Sequence, residues 1–122
     1  MPVAAAHLAI GVSVLALNVL AGVWGLVAWR RRRRTSAAFE QVLALSHTVV
    51  LLQAAFGLYL LGGGYRAPAR LHYVYGLLPA GAVAFGYSAR TEDTRRNLLQ
   101  FSVIALLIAG LATRAYLTGE GG

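Results

Sequence analysis

The sequence predicts an all-α integral membrane protein: a four-transmembrane-helix up-down-up-down bundle with both termini on the outer side. Three observations predict it. The 122 residues are 58% hydrophobic and 12% charged, too apolar for a soluble domain of this size. The apolar residues fall into four segments, each near the ~20 residues a helix needs to cross the hydrocarbon layer. The arginines lie between those segments in an uneven pattern that gives each loop a side.

The helices are expected at about 3–30, 36–61, 69–89 and 96–117, within one transmembrane domain covering 1–122. Helices satisfy every backbone group within one segment in lipid, so four spans is the default reading. The first segment has no basic residues ahead of it and is too long for a signal peptide. The arginine run Arg30–Arg34 follows it instead of a small-residue cleavage site, so it is expected to remain as a span. The connections, about 5 to 9 residues long, favour antiparallel neighbours.

The net charge is +7, carried entirely by arginine among the basic residues. Loops 30–36 and 89–96 hold Arg30–Arg34, Arg90, Arg95 and Arg96, whereas Arg66, Arg70 and Arg114 lie toward the other side. By the positive-inside rule the first group is cytoplasmic, which places the chain in the cell (cytoplasmic) membrane. The Arg30–Arg34 run then reads as a topology anchor that meets anionic lipid headgroups, not as a nucleic-acid site. Glu40, Glu92, Asp93 and Glu120 all lie near helix ends or outside the spans, Glu120 in a Gly-rich tail expected to be mobile. A carboxylate-driven transporter has no engine in this pattern. The absence of cysteine excludes disulfides, iron–sulfur clusters, thiolate zinc sites and covalent c-type heme attachment.

Ionisable groups inside membrane helices are expensive and usually functional, so the histidines carry the functional reading. His7 and His72 each lie a few residues inside the outer end of their helices, the first and the third. In an up-down-up-down bundle these helices are diagonal partners, and two imidazoles at one depth across a core can clamp a heme iron. In span one His7, Gly11, Val14, Asn18, Gly22, Gly25 and Trp29 form one stripe at helical spacing. In span three His72, Gly76, Pro79 or Ala80, Val83 and Gly86 or Tyr87 share a face. Gly11 and Gly76 each follow a histidine by four residues, which suits a flat ring lying beside the helix; ordinary close packing gives the same spacing. Span four presents Gln100, Val103, Leu107, Gly110 and Arg114 on one stripe. Arg114, Arg66 and Arg70 are candidates for pairing with heme propionates, although Arg114 would equally snorkel to the headgroups. Tyr65, Tyr73, Tyr75 and Tyr116 form an outer aromatic belt, and Tyr75, near His72, is best placed to touch a ligand.

His47 lies about twelve residues into span two, roughly 18 Å along the helix. That depth is level with Asn18 and distinct from the other two histidines. A buried His47–Asn18 hydrogen bond and a mid-membrane quinone or proton site are both open readings, with Gln53 as a further accessory residue of the interior.

The stretch Leu51-Leu-Gln-Ala-Ala-Phe-Gly-Leu-Tyr-Leu-Leu61, a short Gly/Pro loop, and Leu71-His-Tyr-Val-Tyr-Gly76 resemble one half of heme A synthase. In that family each half is a four-helix bundle whose two outer-side histidines ligate one heme. The resemblance covers roughly residues 5 to 85. It implies that His7 and His72 are the two ligands and that Gln53 and Gly57 belong to the intervening helix. The family's first histidine sits in a Glu-x-x-His-Arg motif, whereas this chain has Ala4, His7 and Leu8 at those positions. The resemblance therefore implies a heme-binding relative in architecture without the synthase's carboxylate.

The expected function is that of a small membrane b-type cytochrome. Non-covalent heme b would be held by His7 and His72 near the outer face, for electron transfer or as a subunit of a larger respiratory or redox complex. The expected partners are membrane lipid and a redox partner, or further copies of the chain. The competing expectation is a heme-free membrane subunit or small transporter whose histidines are packing or substrate contacts. No nucleophile with a neighbouring base and no phosphate loop supports a self-contained enzyme.

Overall fold

The computed structural model describes residues 2–67 and 69–118; Glu120 lies outside the described residues. The chain forms four helices in the order α1 (Pro2–Arg30), α2 (Ala37–Gly62), α3 (Leu71–Ser88) and α4 (Thr94–Tyr116). α1 packs against α2 and α4, and α3 packs against α4 and more sparsely against α2. α1 and α3 are therefore diagonal.

Three of these helices, α1 from Ala4, α2 and α4, are long and apolar enough to cross a membrane. α3 falls short of that standard. Its 18 residues are just long enough, with a rise of about 27 Å, so the shortfall is in hydropathy. His72, Pro79, three tyrosines and three glycines dilute its apolar content.

Local chemistry sets the helix ends. α1 closes with Arg32 at φ 54°, while Arg33 N–H donates to the Ala28 carbonyl and Arg32 N–H to the Trp29 carbonyl. This is the Schellman pattern with arginine at the left-handed position that glycine normally fills. Ser36 caps α2 by accepting from the Phe39 N–H at 3.2 Å, and Thr35 donates to Glu40 at 2.8 Å. The α2–α3 loop leaves through Gly64 at φ +94°, where a side chain would be strained. Asp93 caps α4 by accepting from the Arg95 and Arg96 N–H groups at 3.0 and 3.1 Å. Arg95 then joins α4 to the end of α1. Its guanidinium donates to the Trp29 carbonyl at 2.8 Å and lies 4.7 Å from the Trp29 ring centre.

The core has one layer to which each helix contributes a residue: Val14, Val50, Val83 and Ile108, all at most 4% exposed. The α1–α4 seam is closer still. A Cβ on Gly25 would collide with the Ser102 hydroxyl, and one on Gly22 would come within 2.6 Å of Leu106. Small residues thus let these two backbones approach, as expected of the stripe on span one.

The stripe on span four turns out to face outward along most of its length. Val103 and Leu107 are more than half exposed, and Gly110 has open space around it. α4 instead buries Phe101, Ser102, Ala105, Ile108 and Ala109. Its small residues are what fit against α1. The outside of the bundle is a belt of exposed apolar side chains, Val12, Val23, Leu51, Leu58, Phe85 and Leu107 among them. So much exposed apolar surface suits contact with membrane lipid and not with water.

Candidate functional site

At the end of the bundle that carries the α2–α3 loop, all four helices and that loop line a cleft of about 410 Å³. That volume is within the ordinary range for a site that takes a small ligand. His7 from α1 and His72 from α3 both line it. Their ring centres are 6.2 Å apart and their planes cross at 79°. The diagonal helices thus bring the two histidines together, although 65 positions separate them in the chain.

Each imidazole is seated differently. His72 Nδ1 lies 2.7 Å from the Ala115 carbonyl in the last turn of α4. A carbonyl only accepts, so Nδ1 carries the proton and the Nε2 lone pair is left for a ligand. His7 Nδ1 is buried with no hydrogen-bond partner. Its ring rests on Gly57 of α2, where a Cβ would be 3.1 Å from Cε1. Any side chain at position 57 would therefore push the imidazole away.

Gly11 and Gly76, expected to play equivalent parts, differ. A Cβ on Gly76 would meet nothing within 4 Å, so this glycine borders open space in the cleft. Gly11 is covered by Gln53, whose Nε2 lies 2.8 Å from where a Cβ would stand. α1 and α2 thus exchange side chains over each other's glycines: His7 over Gly57 and Gln53 over Gly11. Gln53 belongs to this cleft and not to the neighbourhood of His47. Its Oε1 is likewise a buried polar atom without a partner. An unpaired buried polar atom costs about 1–3 kcal/mol, so His7 and Gln53 both gain from a polar occupant.

Tyr75 lines the cleft, and the Arg114 guanidinium lies 5.5 Å from its ring centre. Arg66 also lines the cleft, but its guanidinium donates to the Leu61 and Tyr65 carbonyls at 2.8 and 2.9 Å. It closes the end of α2. Arg70 and Arg114 are exposed and lie outside the wall of the cleft. Pro79, inside α3, also lines the cleft. Lacking an N–H, it leaves the Tyr75 carbonyl without its usual helical donor.

His47 is in separate company. Its Nδ1 lies 2.8 Å from the Tyr87 hydroxyl, and its ring packs against Phe101 at 5.5 Å. The partner is thus Tyr87 of α3, not Asn18. Asn18 is fully buried and donates from Nδ2 to the Val14 carbonyl at 2.8 Å, one turn back in its own helix. Tyr87→Phe is expected to lower stability by about 1 kcal/mol, the usual net worth of one hydrogen bond. Denaturant unfolding followed by circular dichroism measures it, and the outer cleft should be unaffected.

No protein-family model, curated protein or solved structure matches the chain. Among the described residues no group of three or more His, Cys, Asp or Glu side chains could hold a metal ion. Among the described residues the two outer histidines are a pair and belong to no larger group of these types.

Proposed function

We propose that the chain is a small membrane b-type cytochrome that binds non-covalent heme b in the outer cleft, where His7 and His72 would hold the iron. The observation that carries this reading is the spacing of the two rings. Imidazoles bonded at roughly 2 Å to opposite sides of one metal ion have ring centres about 6 Å apart, and these are 6.2 Å apart. A zinc or copper ion held by side chains alone would need more ligands than two. A macrocycle that brings its own equatorial nitrogens needs only the pair. When bound, heme iron supplies one-electron redox chemistry, with its potential set by the axial ligands and their surroundings.

The chain's own residues hold and tune this site. The Ala115 carbonyl fixes the tautomer and direction of His72, as the outer partner of a metal-bound histidine does. Gly57 gives His7 its seat, and Gly76 leaves room beside His72. Arg66 and Arg114 place positive charge at the outer end, where propionates would emerge. On this reading α3 completes a fourth span, shielded from lipid along its polar face by its neighbours. The arginine-rich loops lie in the cytoplasm and both termini face out. The protein then carries electrons at the outer face of the cell membrane, alone or within a larger redox complex.

The test is the absorption spectrum of the protein purified in detergent and titrated with hemin. A Soret band with a sharp reduced α-band at one heme per chain is the expected result. A folded, helical protein that binds no stoichiometric heme would overturn the reading.

A further inference from the structure

The opposite end of the bundle holds a second cleft, of about 710 Å³, between the α1–α2 and α3–α4 loops. Its wall gathers arginines from three separate stretches of chain: Arg32, Arg33 and Arg34 after α1, Arg90 after α3, and Arg95 in the first turn of α4. The one carboxylate in the wall, Glu40, already accepts a hydrogen bond from Thr35. Arg30 and Arg31, in the same run, are not part of the wall. Its apolar lining is Leu43 and Leu98, which are partly exposed, with Phe39 and Phe101 buried.

We infer that this cleft is a binding site for the phosphodiester headgroup of an anionic membrane lipid. The inference rests on the membrane reading above but not on heme. A run of arginine beside a span needs only a diffuse attraction to anionic lipid. This cleft differs because arginines of both loops line one volume, although the Arg95 guanidinium already donates to the Trp29 carbonyl. Arginine suits phosphate because its planar fork makes paired, charge-assisted hydrogen bonds to two oxygens. The partly exposed leucines favour an amphiphile over free phosphate, since inorganic phosphate has no part to set against Leu43 and Leu98. The left-handed backbone at Arg32 carries the run into the wall instead of continuing the axis of α1. Arg95, held against Trp29, puts an aromatic reporter next to the site.

Native mass spectrometry of the detergent-purified full chain tests this with phosphatidylglycerol, phosphatidylcholine and inorganic phosphate as probes. The wild-type protein should retain phosphatidylglycerol in preference to phosphatidylcholine. The double variant Arg33→Gln, Arg90→Gln removes one cleft arginine from each loop and should weaken phosphatidylglycerol binding roughly tenfold or more. The double variant Arg30→Gln, Arg31→Gln removes the same charge from the same run outside the cleft and should change it by less than about threefold. Equal weakening in the two variants would mean diffuse charge and overturn the site. Displacement of the lipid by millimolar inorganic phosphate would overturn the lipid assignment. Circular dichroism confirms that each variant is helical. Flotation with pure phosphatidylcholine vesicles tests the membrane reading separately. A chain that floats but loses equally in both variants keeps its membrane and loses the site.

Discussion

His7→Ala and His72→Ala should each weaken heme binding by at least about 100-fold. Even the groups that only orient a metal ligand contribute 10–100-fold, and these substitutions remove the ligand itself. Either variant should lose the sharp reduced α-band, because only one of the two imidazoles would be left to hold the heme. His72→Ala also removes a hydrogen bond to the Ala115 carbonyl, which keeps its bond from Thr118 at 3.2 Å. The fold should therefore survive that variant. His47→Ala provides the contrast, since His47 binds Tyr87 in the other half of the bundle. Its spectrum should match that of the wild type. Equal spectral damage from all three substitutions would remove the assignment of the outer pair.

Gly25→Val should be the most damaging single change to the fold outside that site. The new side chain would meet the Ser102 hydroxyl, with Phe39 Cζ only 3.2 Å from the first added carbon. Both neighbours are buried, at 1% exposure each, and have nowhere to go. Overpacking of this kind costs typically 1–3 kcal/mol, and here it also wedges α1 from α4. Gly110→Val is the control, because a Cβ there has open space and should change stability by less than about 0.5 kcal/mol. Unfolding in mixed detergent micelles compares the two. Similar losses in both would show that the α1–α4 seam is not what holds the bundle.

The features legible in the sequence were those governed by helical period and by hydropathy. Four helices follow from four apolar segments, and their observed ends differ from the expected ones by two residues or fewer. The inward stripe of span one follows from Val14, Asn18, Gly22 and Gly25, all buried. The diagonal placement of His7 and His72 follows from short loops. What escaped was whatever depends on a second helix. The inward face of α4 could not be told from its own residues, since Val103 and Leu107 are as apolar as Ile108. The partner of His47 depended on a tyrosine hydroxyl reaching across from α3, beyond a depth estimate made along one helix axis. The acceptor for His72 is a backbone carbonyl, a group every residue has and no sequence pattern marks. The part played by Gly57 was not legible, because nothing within α2 shows that an imidazole from α1 lies on it.

The layer of Val14, Val50, Val83 and Ile108 has a consequence for how the two ends of the molecule communicate. It acts as a septum of four aliphatic side chains that offers no donor, acceptor or charge to anything passing along the bundle axis. Protons and ions have no relay across it, so the protein would not short-circuit a membrane that holds a potential. Each cleft must load and empty through its own mouth, so that on the proposed topology the two would respond to the solutions on opposite sides of the membrane.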